Sequence, residues 1–341
     1  MHQADVSKRR RTVLVIGALL AAAAGSLVLS GLAGSIAIAP GDLPGALLEL
    51  AGGKGGSLAA TLLDLRLSRA VVAFVTGAAL SLAGVMMQAL LRNPLADPYV
   101  LGISAGASVG ALAALMAMAA LWMVDAAAFA GAVAVSMMLY YLARRDLRGA
   151  SAAEGGTSVL LLTGVILSSA CMAMVTLMLS VAPEGRLRSM IFWMIGDLAG
   201  APLRVLPWLV LAGALVFALR SARSLNVLAL HADAAATLGI RVGPLRKGLF
   251  FCSGLLTASA VTSAGSIGFV GLIVPHACRF AFGPDHRVLI PAATLAGGTF
   301  LVLADTLART ALAPQQLPVG VITALIGAPV FLYQLHRLNR S

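Results

Sequence analysis

The sequence predicts an all-α polytopic membrane protein with about ten transmembrane helices in an inverted-repeat arrangement. Apolar residues make up 60% of its 341 residues and charged residues 11%, against about 45–50% and about 25% in an average soluble domain. The apolar residues run continuously and do not alternate, which argues against a membrane barrel. This composition excludes an ordinary globular enzyme, a disordered chain and a secreted disulfide scaffold. We therefore treat residues 1–341 as one transmembrane domain.

The first predicted span covers residues 12–39 and follows the basic stretch Lys8 to Arg11. A basic stretch, an apolar core and the string Ala37-Ile-Ala39 also occur in cleaved signal peptides. The apolar run here is about twice the length of a usual signal core of about 7–15 residues. A retained first span with a cytoplasmic N-terminus fits the sequence better.

Nine further spans follow from continuous apolar stretches of the chain. They are Leu67–Leu91, Val100–Met123, Ala126–Leu142, Val159–Val181, Pro202–Leu219, Gly248–Ala264, Ile267–Phe280, Val288–Ala311 and Val319–Leu335. The stretch Ile267–Phe280 is shorter than the about 20 residues that a straight helix needs to cross the bilayer. We expect neighbouring helices to satisfy its backbone.

The basic residues predict the orientation of these spans. Ten spans from a cytoplasmic start leave both termini inside and distribute the 24 Lys and Arg residues as 17 inside and 7 outside. Basic residues favour the cytoplasmic side of membrane spans. The same rule accounts for the net charge of +11, so nucleic acid is not an expected partner and the lipid bilayer is.

Two stretches of the chain resemble each other weakly in opposite orientation. The span ending at Leu91 leads through a cytoplasmic turn into the small-residue run Gly102–Gly110. The span ending at Ala264 leads into Gly265-Ser-Ile-Gly268 and returns through Pro275 on the opposite side. Inverted repeats with broken, Gly-rich helices are typical of transport folds. Small residues also permit close helix packing, but packing alone does not explain the opposite orientations.

Motifs for chemistry are missing from the sequence. It contains no Gly-x-x-x-x-Gly-Lys-Ser/Thr phosphate loop and no His-Glu-x-x-His pair, so we expect neither ATP hydrolysis nor a metal site on this chain. Charges within spans are rare and costly. The exception is Asp305 with Arg309, one helical turn apart, which predicts either a local ion pair or a docking or transport role for Arg309.

The predicted cytoplasmic connection over residues 225–241 is rich in Ala and Leu and ends near Gly239. These residues favour short helices with a glycine stop. The connection is too short and too interrupted to span the bilayer. It fits equally well a docking surface for a cytoplasmic partner and an amphipathic segment at the membrane interface.

Several strings together resemble the permease family of ATP-binding-cassette importers for iron chelates, haem and vitamin B12. The resemblance covers about residue 60 to the C-terminus. Ser68 stands where proline is common in that family. The strings that carry the resemblance are Arg66-Leu-Ser-Arg69, Gly84-Val-Met-Met-Gln88, Arg92-Asn-Pro-Leu-Ala-Asp-Pro98, Leu101-Gly-Ile-Ser-Ala-Gly106, Leu228–Gly239, Gly265-Ser-Ile-Gly-Phe-Val-Gly-Leu-Ile-Val-Pro-His276, Ala304-Asp-Thr-Leu-Ala-Arg309 and Leu317–Pro329.

The resemblance implies an assembly and a role for several residues. Two permease copies form a pathway, two cytoplasmic ATPase subunits bind ATP and Mg²⁺, and a periplasmic binding protein delivers the cargo. Arg66, Arg69 and Arg309 correspond to outer-face arginines that meet the binding protein, and Asn93, Leu95, Thr157 and Ser158 to cytoplasmic gates. The ATPase-coupling loop corresponds to Leu228, Ala229, Leu230, Ala232, Ala234, Ala235, Leu238 and Gly239.

The expected function is therefore that of a permease subunit in the bacterial inner membrane, with no catalytic site and no bound cofactor. It would move a metal chelate from periplasm to cytoplasm by alternating access, with haem or a ferric siderophore favoured and vitamin B12 also compatible. The alternatives are an ion-coupled secondary transporter, which needs ionisable residues near midspan, and an intramembrane enzyme, which needs a nucleophile or metal cluster.

Overall fold

The computed structural model describes residues 2–53, 56–144, 147, 156–230, 235 and 237–338. Within these ranges the chain folds into twelve α-helices and has no strand. They are α1 His2–Leu32, α2 Leu43–Ala51, α3 Leu58–Leu91, α4 Ile103–Met116, α5 Leu121–Leu142, α6 Gly156–Val181, α7 Glu184–Ile195, α8 Val205–Leu230, α9 Val242–Ala264, α10 Val270–Phe282, α11 His286–Thr310 and α12 Val319–Leu338. Ten of them match the ten predicted spans, so the predicted all-α membrane fold is confirmed.

The two helices without a predicted counterpart are α2 and α7. Six of the described helices, namely α1, α3, α5, α6, α8 and α11, contain a stretch long and apolar enough to cross a membrane alone. Helix α10 has only 13 residues and packs against α3, α11 and α12. These neighbours supply the protein surroundings that a short helix needs at membrane depth.

Several predicted boundaries are wrong for identifiable reasons. Helix α1 ends at Leu32 and not at residue 39, because residues 33–39 are not helical and the backbone bends at Ser35 and Ile36. Helix α3 begins nine residues earlier than predicted, at Leu58. Its N-cap is Ser57, whose Oγ accepts a hydrogen bond from the Ala60 amide at 3.2 Å. Its 34 residues correspond to about 51 Å, well beyond the about 30 Å of a hydrocarbon core. Helix α3 is therefore longer than the hydrocarbon core is thick.

Helix α3 forms the centre of the bundle, and most of its apolar surface is buried inside the protein. It packs against α11, α9 and α10, and glycines lie at its contacts with α11 and α10. A Cβ atom on Gly77 would collide with the Gly297 carbonyl, and one on Gly84 with the Gly271 carbonyl. Because backbone atoms oppose both positions, only glycine allows the helices to approach this closely.

The weak repeat in the sequence corresponds to two similar breaks. Helix α3 is followed by Arg92 at φ 49°, and α4 is preceded by Gly102 at φ 78°. Helix α9 is followed by Gly265 at φ 69°, and α10 is preceded by Phe269 at φ 70°. Helices α3 and α9 run antiparallel. Ser253 of α9 donates to the Ala83 carbonyl of α3, whereas Ser263, further along α9, lines a small cavity with Thr76, which precedes Ala83 on α3.

Candidate functional site

The predicted docking arginines lie at one end of the bundle. The predicted gate residues Asn93 and Leu95 and the predicted coupling loop lie at the other end. The end carrying Arg66, Arg204 and Arg309 is the one that the predicted topology puts outside, and we call it the outer end. The end carrying Asn93, Asn226 and Arg279 is called the inner end. Orientation in the membrane is a prediction from the basic residues.

At the outer end, Asp305 holds together two of the three predicted docking arginines. Arg69 Nη2 lies 2.7 Å from Asp305 Oδ1, and Arg309 Nε lies 3.1 Å from Asp305 Oδ2. The Asp305 side chain is fully buried. Arg309 Nη2 also donates to Ser30 Oγ at 2.6 Å, which ties α11 to α1. The local pair that the sequence predicted is present, and Arg69 is a partner that the sequence did not reveal.

Arg66 has a different environment from the other two arginines. Its guanidinium donates to the carbonyl of Leu32 at 2.9 Å and to that of Ile36. The last carbonyls of a helix lack intrahelical partners and carry partial negative charge. Arg66 therefore caps the C-terminus of α1. A side chain on Gly34 would collide with this guanidinium, so the glycine leaves room for it.

The three arginines line one cavity of about 540 Å³ at the outer end, together with the segment 198–203 and Gln316. Arg66 and Arg309 are only 6% and 4% exposed. Arg69 is bound to the exposed Gln316 at 2.9 Å and lies 3.7 Å from Asp197. Arg69 is thus the arginine of the three that is closest to the surface. Their docking role stays a prediction.

The predicted gate residues Asn93 and Leu95 lie on the loop between α3 and α4 at the inner end. Asn93 Oδ1 accepts a hydrogen bond from the Leu95 amide at 2.9 Å, which closes a turn. The loop then re-enters the bundle, where Pro98 and Leu101 are buried. Their role as a gate stays a prediction. The second pair, Thr157 and Ser158, falls at the start of α6, and their side chains lie outside the described residues.

Two of the strings that carry the resemblance, residues 92–98 and residues 265–276, contact each other at this loop. The His276 imidazole lies beside the Pro94 carbonyl, and Gln88 Nε2 donates to the Leu272 carbonyl at 3.3 Å. Arg279 Nη2 donates to Gln88 Oε1 at 3.2 Å. Helix α10 is thereby tied both to the end of α3 and to the loop that carries Asn93. Sequence reasoning used these strings only as signs of resemblance and missed that they meet.

The predicted coupling loop is partly helical. Helix α8 continues to Leu230, so residues 225–230 are helical as predicted but belong to the preceding long helix and not to a separate short one. Leu228 is buried and Ala229 exposed. Ala235 is fully buried, whereas Leu238 is 70% exposed. The side chain of Leu230, together with Ala232 and Ala234, lies outside the described residues.

Gly239 in this loop lies in the left-handed region, with φ 78°. Glycine adopts that conformation without steric cost. The Ile240 amide donates to the Ala235 carbonyl at 3.0 Å and closes the turn. This turn presents Leu238 to the surroundings.

A hydrogen-bonded clamp holds the base of this loop. Asn226 on α8 donates to Asp285 Oδ1 at 2.7 Å and accepts from the His286 amide at 2.8 Å. His286 Nδ1 lies 2.8 Å from the same Asn226 oxygen. His286 is only 2% exposed. The clamp joins the end of α8 to the start of α11, so a movement of the loop would be transmitted to α11.

We expect Asn226→Leu to destabilise the protein by about 2–3 kcal/mol, because it removes the partners of a buried amide and a buried imidazole. The measurement is the apparent Tm of the purified chain in detergent. Arg223→Leu is the matched control, since Arg223 is an exposed residue one turn earlier on the same helix. Equal Tm values for the two variants would contradict a structural role for the clamp.

Comparison with known proteins identifies the family. The model of the FecCD transport family matches residues 12–337. The chain belongs to the FecCD transport family. The match spans the ten helices that correspond to predicted spans, so the outer cluster of Arg69, Asp305 and Arg309, the loop that carries Asn93 and the predicted coupling segment all lie within it.

Named relatives cover most of the chain. The cobalamin import system permease protein BtuC of Halobacterium salinarum is 43% identical over 277 residues, which are 80% of this chain and 72% of that protein. The vitamin B12 import system permease protein BtuC of Escherichia coli O127:H6 is 39% identical over 320 residues, 92% of either chain. A solved metal-chelate type ABC transporter in an inward-facing conformation has a TM-score of 0.79 at 27% identity and covers 95% of this chain and 99% of that chain.

Proposed function

We propose that this chain is the permease subunit of an ATP-driven importer of the inner membrane and that its cargo is a corrinoid. The observation that carries the proposal is the 39% identity to a vitamin B12 import permease over 92% of both chains. The sequence analysis favoured haem or a ferric siderophore as cargo. The names of the relatives do not support that preference, and they favour a corrinoid.

The proposed assembly contains two copies of this chain, two ATPase subunits and a binding protein. ATP hydrolysis belongs to the ATPase subunits, because the sequence has no phosphate loop. The loop that ends in Leu238 docks on the ATPase, and the clamp at Asn226 passes its movement to α11. Helix α10 and the loop carrying Asn93 then move together, because Gly271 of α10 packs against Pro98 of that loop. Such a rearrangement between two packed states is how many transport proteins switch.

The pathway of such an importer does not need a strong binding site. A corrinoid carries its own polar groups around its metal, so small and apolar side chains let it pass. Weak binding avoids trapping the cargo. The binding protein supplies the binding energy that captures the cargo. ATP hydrolysis supplies the free energy that makes transport run in one direction.

An ion-coupled mechanism receives no support from the charged residues of the described part of the chain. Asp305 was the carboxylate that the sequence offered for proton or sodium coupling. Its two oxygens are engaged by Arg69 and Arg309. With both oxygens bound by arginines, this carboxylate ties α11 to α3 and is not a free ligand for a transported ion.

The test is uptake by vesicles that contain this chain with its cognate ATPase and binding protein. We expect ATP-dependent uptake of labelled cyanocobalamin and no uptake of labelled haem or ferric siderophore. Vesicles without the ATPase but with an imposed proton or sodium gradient are the control and should not take up cargo. Uptake of an iron chelate alone would overturn the corrinoid cargo, and uptake driven by the gradient alone would overturn the ATP-driven importer.

A further inference from the structure

A second cavity, of about 210 Å³, opens at the outer end between α5, α8 and α9. It is separate from the arginine-lined cavity and contains none of the residues predicted for docking, gating or coupling. Its lining combines apolar groups such as Phe129 and Leu206 with one ion pair and three hydroxyl side chains. This combination is that of a site for an amphiphilic ligand.

The ion pair bridges two of the helices. Arg204, directly before α8, donates from Nη2 to Oδ2 of Asp125 on α5. The side chains are 30% and 19% exposed, so each head group keeps part of its surface free. Arg has five N–H donors and a carboxylate accepts on both oxygens. Arg204 therefore has a free position for an anionic ligand group, and the adjacent Asp125 has one for a cationic ligand group.

One hydroxyl in the cavity lacks a partner. Helix α9 carries five hydroxyl side chains, and four of them are hydrogen-bonded to carbonyl oxygens: Ser253, Thr257, Thr262 and Ser263. The fifth, Ser259, is 3% exposed, lines the cavity, and its Oγ has no hydrogen-bond partner in the described protein. A buried polar atom without a partner is unfavourable, so a ligand oxygen at this position would satisfy it.

Two tryptophans near the cavity indicate its depth in the membrane. Trp122 lies one turn before Asp125, and Trp208 one turn after Arg204, with 70% and 43% of their surfaces exposed. Tryptophan is enriched at the level of lipid head groups. The neighbouring Leu209 is 64% exposed, and it continues an apolar surface toward the membrane interior. The ion pair thus lies at head-group depth, above a surface suited to an acyl chain.

We propose that this cavity binds a phospholipid with a phosphoethanolamine head group. The phosphate lies on Arg204, the primary ammonium donates to Asp125, and an oxygen of the same head group accepts the Ser259 hydrogen bond. A quaternary ammonium has no N–H to donate, so phosphatidylcholine fits the site less well. The inference requires only that the chain spans a membrane and does not depend on the cargo.

The test is native mass spectrometry of the full-length purified chain titrated with phosphatidylethanolamine, phosphatidylcholine or phosphatidylglycerol of identical acyl chains. We expect the ethanolamine lipid to bind about tenfold more tightly than the other two, the effect of one charge-assisted hydrogen bond. Asp125→Asn should remove the preference over phosphatidylcholine. Equal affinities of the unmodified chain for the three lipids would overturn the proposal.

Ser259→Ala separates lipid binding from folding, because removing an unpartnered hydroxyl leaves the protein's own hydrogen bonds intact. We expect it to weaken binding of the ethanolamine lipid about fivefold with an unchanged Tm, consistent with one neutral hydrogen bond. Ser263→Ala is the matched control, since that hydroxyl already donates to the Ser259 carbonyl. Unchanged lipid affinity in Ser259→Ala would overturn the assigned head-group position.

A photo-crosslinker at Leu206 identifies what occupies the cavity in native membranes. Leu206 lines the cavity and is 54% exposed. We expect an adduct with the mass of an ethanolamine phospholipid. An adduct with a second copy of the chain or with another protein would overturn the proposal, because a protein would then cover the cavity.

Discussion

Asp305→Asn is expected to destabilise the protein by about 3–5 kcal/mol, because it leaves two arginines beside a buried, neutral side chain. Asp305 is fully buried, and its carboxylate is within 3.1 Å of both Arg69 and Arg309. It also links α11 to α3 directly and, through Arg309 and Ser30, to α1. The measurement is the folded yield and apparent Tm of the chain extracted from membranes.

Asp197→Asn is the matched control for this prediction. Asp197 also lies near Arg69, but at 3.7 Å and with 24% of its side chain exposed, and exposed pairs contribute about 0–1 kcal/mol. Replacing Asp305, Arg69 and Arg309 together by Asn, Gln and Gln should recover part of the loss, because no uncompensated charge remains. Equal stability of Asp305→Asn and Asp197→Asn would show that the outer cluster does not hold the bundle together.

This cluster also changes how docking of the binding protein should be tested. Replacing Arg66, Arg69 and Arg309 together by Glu would remove the cap of α1 and the partners of Asp305. A loss of docking in this variant would then reflect misfolding and would not test the docking contacts. Arg69→Gln with an intact Asp305 is a better probe, because Arg69 is the arginine closest to the surface. Charged residues at such interfaces steer association more than they add affinity, so salt dependence of docking is the informative readout.

Leu238→Arg is expected to reduce co-purification of the ATPase subunit by about tenfold, because it puts a charge where an apolar side chain must be desolvated in the interface. Leu238 is 70% exposed at the turn that Gly239 closes. Ala235→Arg is a poorer test, since Ala235 is fully buried and the substitution would distort the loop itself. The measurement is the amount of ATPase retained by the affinity-tagged chain.

Leu312→Arg provides the control for the coupling loop. Leu312 is also an exposed leucine, at 56%, but it lies between α11 and α12 at the outer end, away from a cytoplasmic partner. ATPase retention in this variant should equal that of the unmodified chain. If Leu238→Arg retained as much ATPase as Leu312→Arg, the segment after α8 would not be the docking loop.

The sequence determined which segments are helices within the membrane, because burial in lipid requires long apolar stretches with satisfied backbones. All ten predicted spans correspond to helices. The ion pair of Asp305 with Arg309 was also readable, since residues one turn apart share a helix face. The short helix over Val270–Phe282 was recognisable from its length, as a segment that needs protein neighbours.

The tertiary structure decided the contacts between residues that are far apart in the chain. Hydropathy does not distinguish a helix that faces lipid from one at the centre of the bundle, so the burial of α3 was not predictable. Nor was the partnership of Arg69 with Asp305, 236 residues away, or the capping of α1 by Arg66. The local sequence determines whether the backbone hydrogen bonds of one helix can form. The partners of a buried charge lie on the helices that pack beside it, and that packing depends on the whole fold.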